Sequence, residues 1–147
     1  MYDTPRAGQI RLESTVNAGT FYDGNRVSVT LSPTWNVSQH IYLYGSYQIN
    51  RLKFSGRNQE FNGHIGRLRV RLMPNIRHTL TAFIQYNSAN DLILTNVRYR
   101  YNPREGNDFY IVYDEGFNTD RQREIPFLPR TRNRTIMVKY SYMFNIR

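Results

Sequence analysis

Residues 135–147, TIMVKYSYMFNIR, alternate at every step: Ile136, Val138, Tyr140, Tyr142, Phe144 and Ile146 against Met137, Lys139, Ser141, Met143, Asn145 and Arg147. Successive side chains of an extended chain point to opposite faces, so a period of two builds a strand with one apolar and one polar face. The same period recurs through the chain. Val27, Val29, Leu31, Pro33, Trp35 and Val37 oppose Arg26, Ser28, Thr30, Ser32, Thr34 and Asn36. Leu68, Val70 and Leu72 oppose Arg67, Arg69 and Arg71, and Leu80, Ala82, Ile84 and Tyr86 oppose Thr79, Thr81, Phe83 and Gln85. Ile93, Val97, Tyr99 and Tyr101 oppose Asn96, Arg98 and Arg100. Turn-forming residues divide the chain into about eight such runs, 9–22, 25–36, 39–53, 61–73, 76–88, 92–102, 108–116 and 133–146, and helical periodicity competes nowhere.

Bulk hydropathy hides this architecture. A mean hydropathy of -0.65 and 39% hydrophobic residues would suit a soluble globule, and no stretch approaches the ~20 apolar residues of a membrane-spanning helix. A barrel strand needs only ~10 alternating residues, whose polar half cancels the apolar half in any hydropathy window. Alternation alone also suits a β-sandwich or a lipocalin-like barrel. Three features favour the membrane. No run reads as a helix that could cover a sheet; several runs reach 12 residues or more; and the 12 Tyr and 8 Phe cluster near run ends, where membrane aromatic girdles sit. The fold class expected is all-β, an antiparallel transmembrane β-barrel of about eight strands in a single domain over 1–147, or the C-terminal segment of a larger barrel.

The connections carry a second regularity. Those near Asn36-Val37-Ser38, Met73-Pro74-Asn75 and Asn102 to Asn107 share one end and are short. The other end holds Phe21 to Asn25, Phe54 to Glu60, Asn87 to Asp91 and the long polar stretch from Phe117 to Arg132. Outer-membrane barrels pair short periplasmic turns with longer outer loops and descend to the periplasm on the last strand, the polarity seen here. The lipid-facing set of the last strand is then Ile136, Val138, Tyr140, Tyr142, Phe144 and Ile146. This aromatic strand looks like the C-terminal signal that barrel-assembly machinery reads. The opening MYDTPRAGQ has no charged and apolar leader, so either a signal has been removed or the chain is a piece of a longer protein.

The opposite faces are cationic. Arg26, Arg67, Arg69, Arg71, Arg98, Arg100 and Lys139 are expected to point inward, against only Glu13 and Asp114 as inward carboxylates. Unpaired cations in a dry interior cost several kcal/mol each, so the lumen should be wet, which favours a larger or oligomeric barrel over a sealed plug. Cations lining water favour anions.

"GTFYDGNR" (19–26), "FIQYNSANDLILTNVRYRY" (83–101), "EGNDFYIVYDE" (105–115) and "NRTIMVKYSYMF" (133–144) together resemble the C-terminal part of a Bacteroidota outer-membrane protein family of unknown function. The resemblance implies a β-barrel that in the family follows an N-terminal carbohydrate-binding module of the family-nine type. No such module stands in these 147 residues.

Site chemistry is otherwise sparse. Cysteine is absent, which removes disulfides and thiolate metal sites. His40, His64 and His78 fit no compact ligand spacing, and Asp114, Glu115 and Asp120 lack a calcium-loop pattern. No nucleophile, phosphate-loop or dinucleotide signature occurs, so neither enzyme activity nor a cofactor is expected. The charge balance, 20 Lys+Arg against 11 Asp+Glu, also suits a soluble β-domain that binds nucleic acid through arginines and tyrosines, but that reading leaves the apolar face uncovered. The function expected is passive transport through a porin-like, basic, water-accessible lumen in the cell outer membrane. Its solute would be an anion or a glycan, the lumen cations would attract it, and residues 117–132 would form the surface-recognition loop. The alternative is a non-transporting anchor for a surface carbohydrate-binding module.

Overall fold

The computed structural model describes residues 9–54, 56 and 59–144, and among them it contains eight strands and no helix: β1 (Ile10–Phe21), β2 (Gly24–Ser38), β3 (Ile41–Phe54), β4 (Gln59–Asn75), β5 (His78–Asn87), β6 (Leu92–Arg104), β7 (Asn107–Asn118) and β8 (Thr131–Tyr142). Each strand pairs antiparallel with the next, giving one sheet in the order β1 to β8. Ala82 shows how the registers sort the faces. The residues Ile10, Trp35, Leu43, Val70, Ala82, Val97, Tyr113 and Ile136 are successive cross-strand partners through all eight strands, an unbroken apolar row. One residue along lies the row Arg11, Thr34, Tyr44, Arg69, Phe83, Asn96, Asp114 and Thr135, on the opposite face. The period of two therefore holds across the sheet as well as along it.

Strand ends follow local chemistry. The connections at one end are the two-residue turns 39–40, 76–77 and 105–106, and those at the other are 22–23, 55–58, 88–91 and 119–130. At the first end, Asn75 Oδ1 accepts from the amides of Arg77 (2.9 Å) and His78 (3.1 Å), which closes the β4–β5 turn. Gly106 has φ +79, a left-handed conformation that side chains other than glycine rarely adopt, and it turns the chain from β6 into β7. Register shifts fall between Asn36 and Ser38, Leu72 and Asn75, and Tyr101 and Arg104, so Pro74 and Pro103 sit where the ladder is already irregular and no amide is required of them. Strands β4 and β6 thus run through their prolines to Asn75 and Arg104, beyond the expected ends at 73 and 102. The last strand stops at Tyr142 and not at 146. Its partner β7 begins at Asn107, and one further amide bond, from Met143 to the Gly106 carbonyl (3.0 Å), exhausts the neighbour. Phe144 lies past the strand, packed edge-on against Tyr142 at 4.4 Å, and Ile146 lies outside the described residues.

The sheet is not closed. Among the described residues β1 pairs only with β2 and β8 only with β7, leaving two edges. It is nevertheless staggered: Ile10 begins β1, whereas its row mate Ile136 stands six residues before the end of β8 at Tyr142. Six residues at ~3.4 Å over seven steps of ~4.8 Å give a strand tilt of ~31°, close to the ~35–45° of barrels. No second layer covers either face among the described residues, and Leu92 is the one buried apolar side chain there.

Candidate functional site

The polar face gathers all seven expected cations, because the registers keep them on the same side of their strands as the row through Arg69. Their surroundings differ. Arg26 on β2 donates from Nη2 to Asn50 Oδ1 (3.1 Å), and Arg67 on β4 donates from Nε to Gln85 Oε1 (3.0 Å). Arg100 on β6 donates from Nε to Asp108 Oδ1 (2.6 Å), and Asn102 Nδ2 donates to the same oxygen at 3.0 Å. Lys139 on the edge strand β8 is opposite Tyr110, which in turn is opposite Arg100, so it stands two strand spacings from Arg100.

Arg69, Arg71 and Arg98 converge. With Thr81, Phe83 and Asn96 they line a trough of ≈ 420 Å³ across β4, β5 and β6. Arg71, Thr81 and Arg98 are successive partners, so Arg71 and Arg98 are two strand spacings apart, ~10 Å, while Arg69 follows Arg71 at two residues, ~7 Å. Aromatic faces hold two of them: the Arg69 guanidinium lies 5.5 Å from the Phe83 ring centre and that of Arg71 5.8 Å from the Tyr42 ring centre. Among the described residues none of the three forms an ion pair. Beside this trough a second one, lined by Arg11, Glu13, Thr34, Asn36, Tyr42 and Tyr44, continues the polar face to β1.

Of the two expected inward carboxylates, Glu13 pairs in register with Ser32 and Asp114 accepts from Asn96 Nδ2. Among the described residues of this face, the carboxylate that neutralises an arginine is Asp108, which the sequence reading did not single out. Its signal was present: Asp108, Tyr110, Val112 and Asp114 share parity along β7.

The apolar face carries charge only at its two ends: Arg104 at the turn end donates to the Tyr142 hydroxyl (3.0 Å), and carboxylates appear near the loop end. Glu115, 4% exposed, accepts at Oε1 from Arg134 Nη2 (2.6 Å), Arg134 Nε (3.1 Å) and Thr131 Oγ1 (3.1 Å), and at Oε2 from the Tyr113 hydroxyl. Arg51 and Glu60 form a second ion pair at that end. The expected lipid-facing residues Ile136, Val138, Tyr140 and Tyr142 all occupy this face, opposite Tyr113, Ile111, Phe109 and Asn107.

The long loop 119–130 is tied down. Arg121 and Leu128 exchange hydrogen bonds, Leu128 amide to Arg121 carbonyl and Arg121 Nε to Leu128 carbonyl, both at 3.0 Å. Arg123 Nη1 donates to the Asn90 carbonyl (3.1 Å) and the Thr119 amide to the Asp91 carbonyl (2.7 Å), which fixes the loop on the β5–β6 connection. Its Ile125 and Phe127 are exposed.

The histidines stand apart: His40 in the β2–β3 turn, His64 beside the Tyr47 hydroxyl (2.9 Å) and His78 beside the Tyr99 hydroxyl (2.7 Å). Asp114 and Glu115, being adjacent in a strand, face opposite ways, and Asp120 is in the loop. Among the described residues no group of three or more His, Asp or Glu side chains could hold a metal ion. No protein-family model, curated protein or solved structure matches the chain.

Proposed function

We propose that this chain is an outer-membrane β-barrel protein, or a segment of one, whose apolar face meets lipid and whose arginine-bearing face lines a water-filled passage that favours anions. The observation that carries the reading is the uncovered apolar face. It extends over eight strands, ~34 Å across, and over ~23 Å of height from Ile41 to Ile49 on β3, ~800 Å² in projection. Soluble monomers rarely leave apolar patches beyond ~300–600 Å².

The dimensions of that face support the reading. On β3 the apolar positions run from Ile41 to Ile49 before Arg51 ends them. The eight steps from Ile41 to Ile49 at ~3.4 Å, tilted by ~31°, span ~23 Å, near the ~25 Å apolar band of outer-membrane barrels. At the turn end Tyr101, Phe109, Tyr140 and Tyr142 share the face, where an interfacial aromatic girdle belongs. At the loop end the Glu115–Arg134 and Arg51–Glu60 pairs limit it.

The test is to refold the chain into detergent or lipid and compare unboiled with boiled samples on a gel, with infrared spectroscopy on the same preparation. The expected result is a band that shifts on boiling, with antiparallel β absorption. No shift, with a soluble monomeric β-domain recovered free of detergent, overturns the reading. Planar-bilayer conductance then tests the passage: cation preference would overturn the anion assignment.

A further inference from the structure

We infer that Arg69, Arg71 and Arg98 form a binding site for a solute bearing more than one phosphate- or sulfate-type group, a localised site within the basic face. The inference rests on the proposal above only in taking this face to be wet, since the trough itself is defined by the β4–β5–β6 registers.

Hydrogen bonding on this face is uneven. Arg100 is paired with the Asp108 carboxylate, and Arg67 and Arg26 donate to the neutral amide oxygens of Gln85 and Asn50, whereas among the described residues no protein acceptor engages the three arginines of the trough and no carboxylate lines it. A structural role would leave guanidinium donors directed at protein acceptors. Here the Arg69 and Arg71 guanidinium carbons lie over the Phe83 and Tyr42 rings, and among the described residues no hydrogen bond or ion pair engages their N–H forks. Those forks match pairs of oxygens on a tetrahedral oxyanion and gain little from a spherical halide.

The remaining lining groups are suited to the same ligand. Thr81 lies between Arg71 and Arg98 in the cross-strand row, and Asn96 lies beside Arg98, so a hydroxyl and an amide supply neutral donors. Backbone spacings of ~7 and ~10 Å place three long side chains around one ligand of about the size of pyrophosphate. Asp114 lies on the strand beyond Asn96, whose amide donates to it, and this leaves the acidic group at the margin of the trough.

The test uses the full chain refolded in a zwitterionic detergent, titrated calorimetrically with pyrophosphate at constant low ionic strength, with chloride as comparison. Saturable binding at one site is expected. Arg71→Gln and Arg98→Gln should each weaken it about tenfold, Arg26→Gln by no more than about twofold, and Arg98→Lys should recover part of the loss. Equal losses for Arg26→Gln and Arg98→Gln, or chloride bound as tightly as pyrophosphate, would overturn the site and leave a diffuse basic lining. Should the variants not refold, phenylglyoxal modification of the unaltered protein reads the same site. Pyrophosphate is expected to protect Arg69, Arg71 and Arg98 but not Arg26, and uniform or absent protection overturns it. The gel shift on the same sample separates the two ideas: binding without a shift refutes the barrel and keeps the site, whereas a shift without binding does the reverse.

Discussion

Placing one charge on the apolar face gives the most direct test of where that face resides. Ala82 is the middle of His78, Leu80, Ala82, Ile84 and Tyr86 on β5, and its cross-strand neighbours are Val70 and Val97. His78 and Tyr86 lie four residues away on either side, ~12 Å in height at a ~31° tilt, so Ala82 falls near the midplane of a ~25 Å band. Arginine at the lipid midplane of a barrel costs ~2–4 kcal/mol, and replacing alanine removes no large side chain that would confuse the comparison. With a urea dependence of ~2 kcal/mol per molar, Ala82→Arg should lower the unfolding midpoint in lipid vesicles by ~1–2 M. The reporter is Trp35, the single tryptophan, which stands in the same apolar row between Ile10 and Leu43. Thr30→Arg, on the polar face of β2, should cost no more than ~0.5 kcal/mol, because a cation there stays in water. Equal costs at the two positions, or an Ala82→Arg change below ~0.5 kcal/mol, would refute the assignment of that face to hydrocarbon.

Other expectations follow from the same geometry. Asp108→Asn removes the carboxylate that holds Arg100 and should shift the reversal potential across a salt gradient further toward anions; an unchanged or cation-directed potential would contradict the role given to Asp108. Gly106→Ala forces a side chain into a φ of +79 and brings its Cβ to 2.7 Å from Met143 Cβ, so it should destabilise the protein by at least ~1 kcal/mol in the urea assay. Gly19→Ala, with open space around its Cβ, should lose nothing in that assay.

The alternation made the strands and their faces legible, since a period of two requires only that the chain be extended. The prolines misled at the margins. Met73-Pro74 and Asn102-Pro103 read as terminators, yet the ladders shift register there and resume, which a sequence cannot signal because the shift belongs to the pairing of two strands. The site shows the same division. That Arg69, Arg71 and Arg98 share a face was legible from their own strands. That Thr81 alone separates Arg71 from Arg98 depends on how β4, β5 and β6 slide past one another, and the Arg100–Asp108 pair depends on the irregular β6–β7 hairpin. Whether β1 meets β8 is likewise a matter of register between strands remote in sequence, for which alternation carries no information.

The distribution of charge bears on the width of any barrel this sheet joins. Eight strands tilted by ~31° would close at a radius of ~7 Å, so opposite backbones would stand ~15 Å apart and long side chains from facing walls would meet. The wall opposite β4 and β5 would be β8 and β1, which carry Lys139 and Arg11 on the polar face. Closure at that width would set Arg69 and Arg71 against two further cations, with Glu13 the single carboxylate on that wall, in a narrow space, while Asp108 is already engaged with Arg100 and Asp114 with Asn96. Like charges can share a lumen only where water separates and screens them. The two open edges and the unpaired arginines among the described residues therefore point the same way: on the membrane reading, the sheet continues past β1 and β8 onto further strands, which in a sample of this chain alone are those of other copies, and the added width keeps the oxyanion trough hydrated.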